Sequence, residues 1–510
     1  MKKYLALMFI VSAFIGGTAK TQLISYSEPD REDARDMVFE VMGKMNGTFH
    51  IYKSYRDYHF ITLLDAQMKQ IEKVKLDFLP DRIFNADFLQ YPDFYYMFYQ
   101  YQKRNIVYSM AVRLDSKAKK IGEPIQLDTT EINFSASNKI YTVLNSEDKQ
   151  KLMVLKINSR NDKLHYLTTS LFDKNLVLQK KTQIAVPMPD RNDVITEFQL
   201  DNDGDMVCVK TSGTGQNNNI NKIILLQKLA TNDNLISTDL NLKSLYLDDI
   251  RVKVDNYNKH YLVSSFGSKQ KRGNIDGLYC YLYDKTLRKE LLNTSIVFND
   301  ELRGEAKSEG GVKMAFNDYF LRNIIMKKDG GFIVGAESVY TSSRGGANNN
   351  RWDYFGSPYT SGGLSNYYYY NNSPFNNYNY PYNRYGSVNN VVRYYADNIA
   401  ILSIDGTGKM DWSNTIRKSQ YDDNTDNFIG YGLMNTGGEI HFLFNSQEKR
   451  QMLLTDQNIS PEGQITRTPT LKSLDRGYDF MPRQSKQTGS RQIIIPCQFR
   501  NYICFAKIDM

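Results

Sequence analysis

The chain has 510 residues, a formal net charge of +8, and a composition that is 41% hydrophobic and 13% aromatic. That apolar content suffices for a large buried core, and so modest a positive charge points to no nucleic-acid partner. The 37 tyrosines favour strands and exposed faces over helices.

Met1 to Ala19 reads as a secretory signal (residues 1–19). Lys2 and Lys3 precede an apolar core from Tyr4 to Ile15, and Gly17-Thr18-Ala19 supplies small residues for cleavage. The apolar run falls short of the roughly 20 residues that span a bilayer, and no later run reaches that length. The expectation is an exported chain, periplasmic or at the cell surface, with residues 20–510 forming one domain. Chains of this length usually divide, but all-β rings extend as single units. Asp30 to Met45 fits a helix capped by Asp30, or a strand at Met37 to Val41. The strand is preferred, because it gives the first repeat an inner strand.

A repeated phrase organises the rest: an apolar strand ending in Asp, then a polar turn. It stands at Asp65, Asp115, Asp173, Asp284, Asp405 and Asp509, with degenerate copies at Asp233 and at Ser460. Successive spacings are 50, 58, 60, 51, 121, 55 and 49 residues. Several short strands per period of this size mark a β-propeller, so the expected fold is all-β with eight blades, or seven as the alternative. After Asp509 no residues remain for an outer strand, whereas Thr21 to Ser27 is short, alternating and uncommitted. The N-terminal strand is therefore expected to complete the C-terminal blade and close the ring, which removes open sheet edges.

The 121-residue gap holds a Tyr/Asn-rich insertion, residues 341–395, which includes Trp352. Its composition cannot bury a core, so a long loop is expected there. With strands lettered A to D from the inside out, A–B and C–D turns share one face of the ring. B–C loops and D–A links share the other.

The B–C loops carry cations and aromatics: Arg56, Tyr101, Lys103, Arg104, Arg160, Lys269, Lys271, Arg272, Lys449, Arg450, Arg500 and Tyr502. The A–B turns are more acidic, with Asp93, Asp201, Asp203, Asp205, Asp255 and Asp329. A cationic, aromatic face suits an acidic envelope protein, an anionic glycan or a lipid headgroup. Asp57, Asp162, Asp276 and Glu448 dilute the pattern, and a solvated turn face is the competing account.

Motifs for chemistry are scarce. His50, His59, His165, His260 and His441 form no tight ligand spacing, so no metal is expected, and neither a cofactor nor a nucleotide loop is indicated. The chain has no G-x-S-x-G elbow. Asp201-Asn202-Asp203-Gly204-Asp205 resembles the start of a calcium loop, but position 212 is Ser where the closing Glu belongs, so a hairpin turn is expected. Cys497 and Cys504 flank a two-residue turn at Arg500-Asn501, a placement that an exported chain could use for a disulfide. Cys208 and Cys280 lie inside apolar strands and read as buried thiols.

Two resemblances bear on these readings. Ser403 to Trp412 resembles the Asp-box turn of sialidase-like propellers, with extra residues before Trp412, and such turns are structural. Asp329-Gly330-Gly331-Phe332-Ile333-Val334 with Glu337, then Asp405-Gly406, Trp412, Lys418 and Gln420, resembles an exported propeller-type family of Bacteroidota envelopes. The phrases Ser146 to Lys149 and Leu171 to Leu176 fit it too. The resemblance implies an envelope location and no particular reaction. The leading expectation is a non-catalytic binding or scaffold propeller. A glycan-active enzyme and an adhesin working through the 341–395 loop are the alternatives.

Overall fold

A computed structural model describes residues 23–510 apart from 32–36, 57, 134, 137–138, 162, 191–192, 214–218, 308–310, 344–391, 424, 449–450 and 468–476. The chain is an eight-bladed β-propeller, each blade an antiparallel sheet whose strands follow one another from the axis outward. Blade 1 comprises Met37–Met45, Thr48–Tyr55, Tyr58–Leu64 and Gln70–Lys75. Blade 2 comprises Asn85–Gln90, Tyr95–Lys103, Ile106–Leu114 and Lys120–Glu131. Blade 3 has Thr142–Asn145, Lys151–Asn161, Leu164–Asp173 and Leu178–Pro187, and blade 4 has Val194–Leu200, Met206–Ser212, Lys222–Lys228 and Leu235–Leu240. Blade 5 runs through Tyr246–Asp255, His260–Ser268, Gly277–Asp284 and Lys289–Val297. Blade 6 has Tyr319–Met326, Phe332–Ser343, Val392–Ile404 and Met410–Ile416, and blade 7 has Tyr431–Asn435, Ile440–Glu448, Gln451–Ile459 and Ile465–Arg467.

Blade 8 confirms the closure. Its inner positions are Tyr478–Phe480 and Lys486–Gly489, followed by Gln492–Phe499 and Tyr502–Asp509, and its outermost strand is Leu23–Tyr26 from the other end of the chain. The register pairs Leu23 with Asp509 and Tyr26 with Ala506. Just past the strand, the Ser27 N–H donates to Phe505 O at 2.8 Å and its hydroxyl accepts from the Phe505 N–H at 3.0 Å. The Tyr26 ring stacks on Tyr478 with centroids 4.4 Å apart.

The core lies between blades rather than within them. Strand B of blade 2 shows why: Tyr95, Met97 and Tyr99 point into the blade 1–2 boundary, and Tyr96 and Phe98 into the blade 2–3 boundary. A strand buried on both sides loses its polar alternation and reads as a continuous apolar run. Each of the eight neighbouring pairs has such a cluster among the described residues, including blades 8 and 1 through Val41, Phe49, Ile494 and Phe505, and a small ninth joins Phe320, Val339, Ala396 and Ile429. Outer strands such as Gln70–Lys75 are mostly exposed.

The Asp phrase is an Asx turn repeated nearly unchanged. Asp65 Oδ1 accepts the N–H groups of Gln67 and Lys69 at 2.8 and 2.9 Å, and Asp115, Asp173 and Asp405 do the same two and four residues on. The third residue after each Asp has positive φ: Met68, Ala118, Leu176 and Gly408. Only Gly408 adopts that conformation without side-chain strain. The same turn also serves the A–B connection at Asp201, and blade 3 has a variant one residue longer in which Ser146 Oγ accepts the Lys151 N–H at 3.0 Å.

Three elements refine the picture drawn from the sequence. The insertion is shorter than 341–395, because strands B and C of blade 6 extend to Ser343 and from Val392; residues 344–391 lie outside the described part. The strand preferred at Met37 to Val41 is present and extends to Met45. A helix absent from the sequence reading, α1 (Asp300–Ala306), sits in the link between blades 5 and 6. Asn299 caps it, and its buried Arg303 donates to the carbonyls of Phe298, Ile275, Asp276 and Lys313. The signal segment, residues 1–19, lies outside the described residues.

Candidate functional site

The two faces of the ring use their charges differently. On the A–B and C–D face the carboxylates are largely spent on the fold. The calcium-like loop is the A–B turn of blade 4, and a lysine occupies the place a cation would take. Lys285 Nζ meets Asp201 Oδ2, lies 2.7 Å from Asp203 and 2.9 Å from Asp205. Hydrogen bonds from Lys285 and Lys259 hold the Asp203 carboxyl below its usual range. Asp201 also accepts from the buried Tyr261 hydroxyl at 2.8 Å.

On the B–C face, arginines occupy positions that sterics reserve for other residues. Arg56, Arg104, Arg272 and Arg500 all have positive φ, at 53°, 54°, 59° and 56°. In the two-residue turns of blades 1, 2 and 8 the arginine is the first central residue, where Gly, Asn or Asp is the usual occupant. A left-handed side-chain residue costs about 1 kcal/mol, and arginine recurs at this position in three neighbouring blades. Blades 8, 1 and 2 are contiguous through the closure, and thus Arg500, Arg56 and Arg104 form one arc. Two of these turns share a phrase, Tyr55-Arg56-Asp57-Tyr58 and Phe499-Arg500-Asn501-Tyr502. Each guanidinium lies over the preceding ring, at 5.2 Å for Arg56 on Tyr55 and 5.4 Å for Arg500 on Phe499. Tyr58 and Tyr502 are 61% and 39% exposed.

At the blade 2 end the arc opens into a cavity of about 450 Å³, lined by Arg82, Phe84, Gln102, Arg104, Asn105, Asn133, Ser135 and Ala136. Three segments build it: the link entering blade 2, its B–C turn, and the link leaving it. Gln102 ties them together, accepting the Ala136 N–H at 2.8 Å and donating to Arg104 O at 2.7 Å. Among the described residues, no acidic side chain lines this cavity.

The residues picked out from sequence therefore separate. Arg56, Lys103, Arg104 and Arg500 gather on the 8–1–2 arc. Tyr101 is half-buried, stacking on Tyr108 at 5.0 Å and packing against the blade 1–2 core rather than lining the cavity. Lys269, Lys271 and Arg272 are exposed on blade 5, on the far side of the ring. Trp352 and Arg450 lie outside the described residues. Arg82, Gln102, Asn105, Asn133 and Ser135 were missed, since three of them stand in links and only folding brings these segments together.

A second group also escaped the sequence: charges on and beside the inner strands. Glu337 is 1% exposed, with Lys418 Nζ at 2.9 Å, Arg322 at 3.3 Å and Arg483 at 3.4 Å. Burial alone would raise its carboxyl, but the three cations hold it at about 2. Lys418 shifts downward, since burial, with Arg483 adding to it, outweighs the carboxylates of Glu337 and Asp397. Arg483 belongs to blade 8 and passes over blade 7 to reach Glu337. It can do so because Gly430 has no side chain; a Cβ there would run into Arg483 Nε. Inner strands of blades 4 and 6 are bulged at Glu197 and Arg322, and Glu197 binds Arg251 Nη1 at 3.2 Å. In blade 1, burial pushes Glu40 up to about 8, opposed by Lys486 at 3.9 Å and reinforced by Asp87.

Metal-ligand clusters are not found among the described residues. His441 faces Asp456 at 3.1 Å, His59 meets the Tyr52 hydroxyl at 2.8 Å, and burial lowers His50. Cys497 and Cys504 are in register with Sγ atoms 3.0 Å apart, as free thiols. No described helix is long and apolar enough to cross a membrane.

The class defined by this fold is the eight-bladed β-propeller. No family model matches the chain, and no characterised protein matches it in sequence. Among solved structures it is similar to prolyl oligopeptidase B from Galerina marginata, at 6% identity and a TM-score of 0.41 over 92% of this chain and 56% of that one. It is similar to oligopeptidase B from Trypanosoma brucei, at 8% identity and a TM-score of 0.33 over 84% of this chain and 46% of that one. It is also similar to the polysaccharide lyase Uly1, at 9% identity and a TM-score of 0.37 over 83% and 89%. The chain spans about half the length of the peptidases it matches.

Proposed function

We propose that the chain is an exported binding propeller of a bacterial cell envelope, of the Bacteroidota propeller type, which holds an anionic partner on the B–C face of blades 8, 1 and 2. The observation that carries this reading is the recurrence of arginine at positive φ in three contiguous turns, Arg500, Arg56 and Arg104. Each turn would form more readily with Asn or Gly, so the guanidinium is retained for what it contacts. Guanidiniums favour carboxylate, phosphate and sulfate groups through their forked donors.

The test is a capture experiment from envelope extract with the mature chain and with an Arg56→Gln, Arg104→Gln, Arg500→Gln variant. An anionic species retained by the parent and lost by the variant is expected. Equal capture by both would refute the assignment of this face.

A further inference from the structure

We infer that the cavity beside Arg104 is a subsite for the acid group of a sugar, and that the ligand of the arc is an anionic polysaccharide. This inference rests on the reading of the B–C face above. The cavity volume, about 450 Å³, lies within the range of small-molecule sites. Its lining divides by chemistry. Arg82 and Arg104 offer two forked donors with no lining carboxylate to neutralise them. Asn105, Asn133 and Ser135 each present both donors and acceptors, the complement that hydroxyl groups need. Phe84 supplies an apolar surface for the C–H face of a sugar ring. Gln102 is committed to Ala136 and Arg104 and sets the shape of the wall rather than meeting the ligand.

The arc outside the cavity argues for a polymer. Beyond Arg104, the next two blades each present an arginine beside an exposed tyrosine, Arg56 with Tyr58 and Arg500 with Tyr502. Alternating rings and cations suit a chain whose sugars stack while its acid groups recur. A single small anion would need the cavity alone.

Binding of the mature chain is measured at fixed ionic strength against a polyuronate, dextran sulfate, neutral dextran and anionic lipid vesicles. The parent is compared with Arg82→Gln/Arg104→Gln, with Arg56→Gln/Arg500→Gln, and with Lys269→Gln/Lys271→Gln on the far side. Thermal melting confirms that each variant is folded. The expected result is binding to an acidic polysaccharide but not to dextran, weakened at least tenfold by the cavity pair and within twofold of parent for the far-side pair. The polyuronate and sulfate arms then identify the acid group as carboxylate or sulfate. Loss with Arg56→Gln/Arg500→Gln alone, leaving the cavity pair unaffected, would overturn the subsite. Arc-dependent binding of vesicles with no polysaccharide bound would overturn the sugar ligand while leaving the face assignment intact. Polysaccharide binding insensitive to both arc pairs would overturn both.

Discussion

Replacing Glu337 by Gln should weaken the ring in a way that depends on pH. The carboxylate is 1% exposed and is surrounded by Lys418, Arg322 and Arg483. Its pKa is lowered from 4.5 to about 2, which corresponds to about 3 kcal/mol of stabilisation at neutral pH. Independent experience with broken buried ion pairs gives a similar ~3–5 kcal/mol, since the remaining charges stay buried without a counter-ion. Because the folded pKa lies below the unfolded one, this stabilisation is complete above about pH 4.5 and fades as pH falls toward 2, with about half left at pH 3. Urea unfolding of parent and Glu337→Gln at pH 7 and pH 3 measures it. Trp412 is a suitable reporter, as its indole donates to Pro461 O at 3.0 Å across the blade 6–7 boundary. A loss under about 1 kcal/mol at pH 7, or a difference between the two proteins that is unchanged at pH 3, would refute the reasoning.

Three other outcomes are expected. Arg56→Asn, Arg104→Asn and Arg500→Asn should each leave stability unchanged or raise it by up to ~1 kcal/mol while weakening an anionic ligand, as read by melting and binding on the same samples. Lys285→Ala should destabilise the chain and leave Asp201, Asp203 and Asp205 facing one another; calcium near ~1 mM should then restore part of the melting temperature, and an absence of any calcium effect would show that the three carboxylates do not converge on one ion. Ser27→Pro removes both of its bonds to Phe505 and should lower stability by ~2–3 kcal/mol, with larger species on size exclusion as blade 8 loses its covering strand.

What the sequence revealed follows from the range of each interaction. The Asp65, Asp115, Asp173 and Asp405 turns are closed by bonds spanning two to four residues, so a local phrase carries them and counting phrases counts blades. Closure was legible because blade 8 lacked one strand and Leu23–Tyr26 had no other partner. The phrase is not confined to C–D turns, since Asp201 closes the same turn between strands A and B of blade 4. Helix α1 has seven residues, too few to show a helical period. The Glu337 cluster was illegible for the opposite reason: Arg483 is 146 residues away in sequence and meets Glu337 only across Gly430. The cavity fared likewise, with Arg104 noticed as a turn cation while Arg82 and Asn133 sat in links that the strand pattern passes over.

The closing strand also bears on the order in which the molecule assembles. Ser27 emerges among the first described residues, yet its partner Phe505 lies 478 residues later. Joining ends so distant in a free chain carries an entropic penalty of about 5 kcal/mol. Once the seven other blade boundaries have packed, the two ends already lie side by side, and almost none of that penalty remains. Leu23–Tyr26 therefore acts as a clasp that fastens only a nearly finished necklace. A chain stalled before Tyr502 would keep two unpaired edges, exposed to any system that senses incomplete folding.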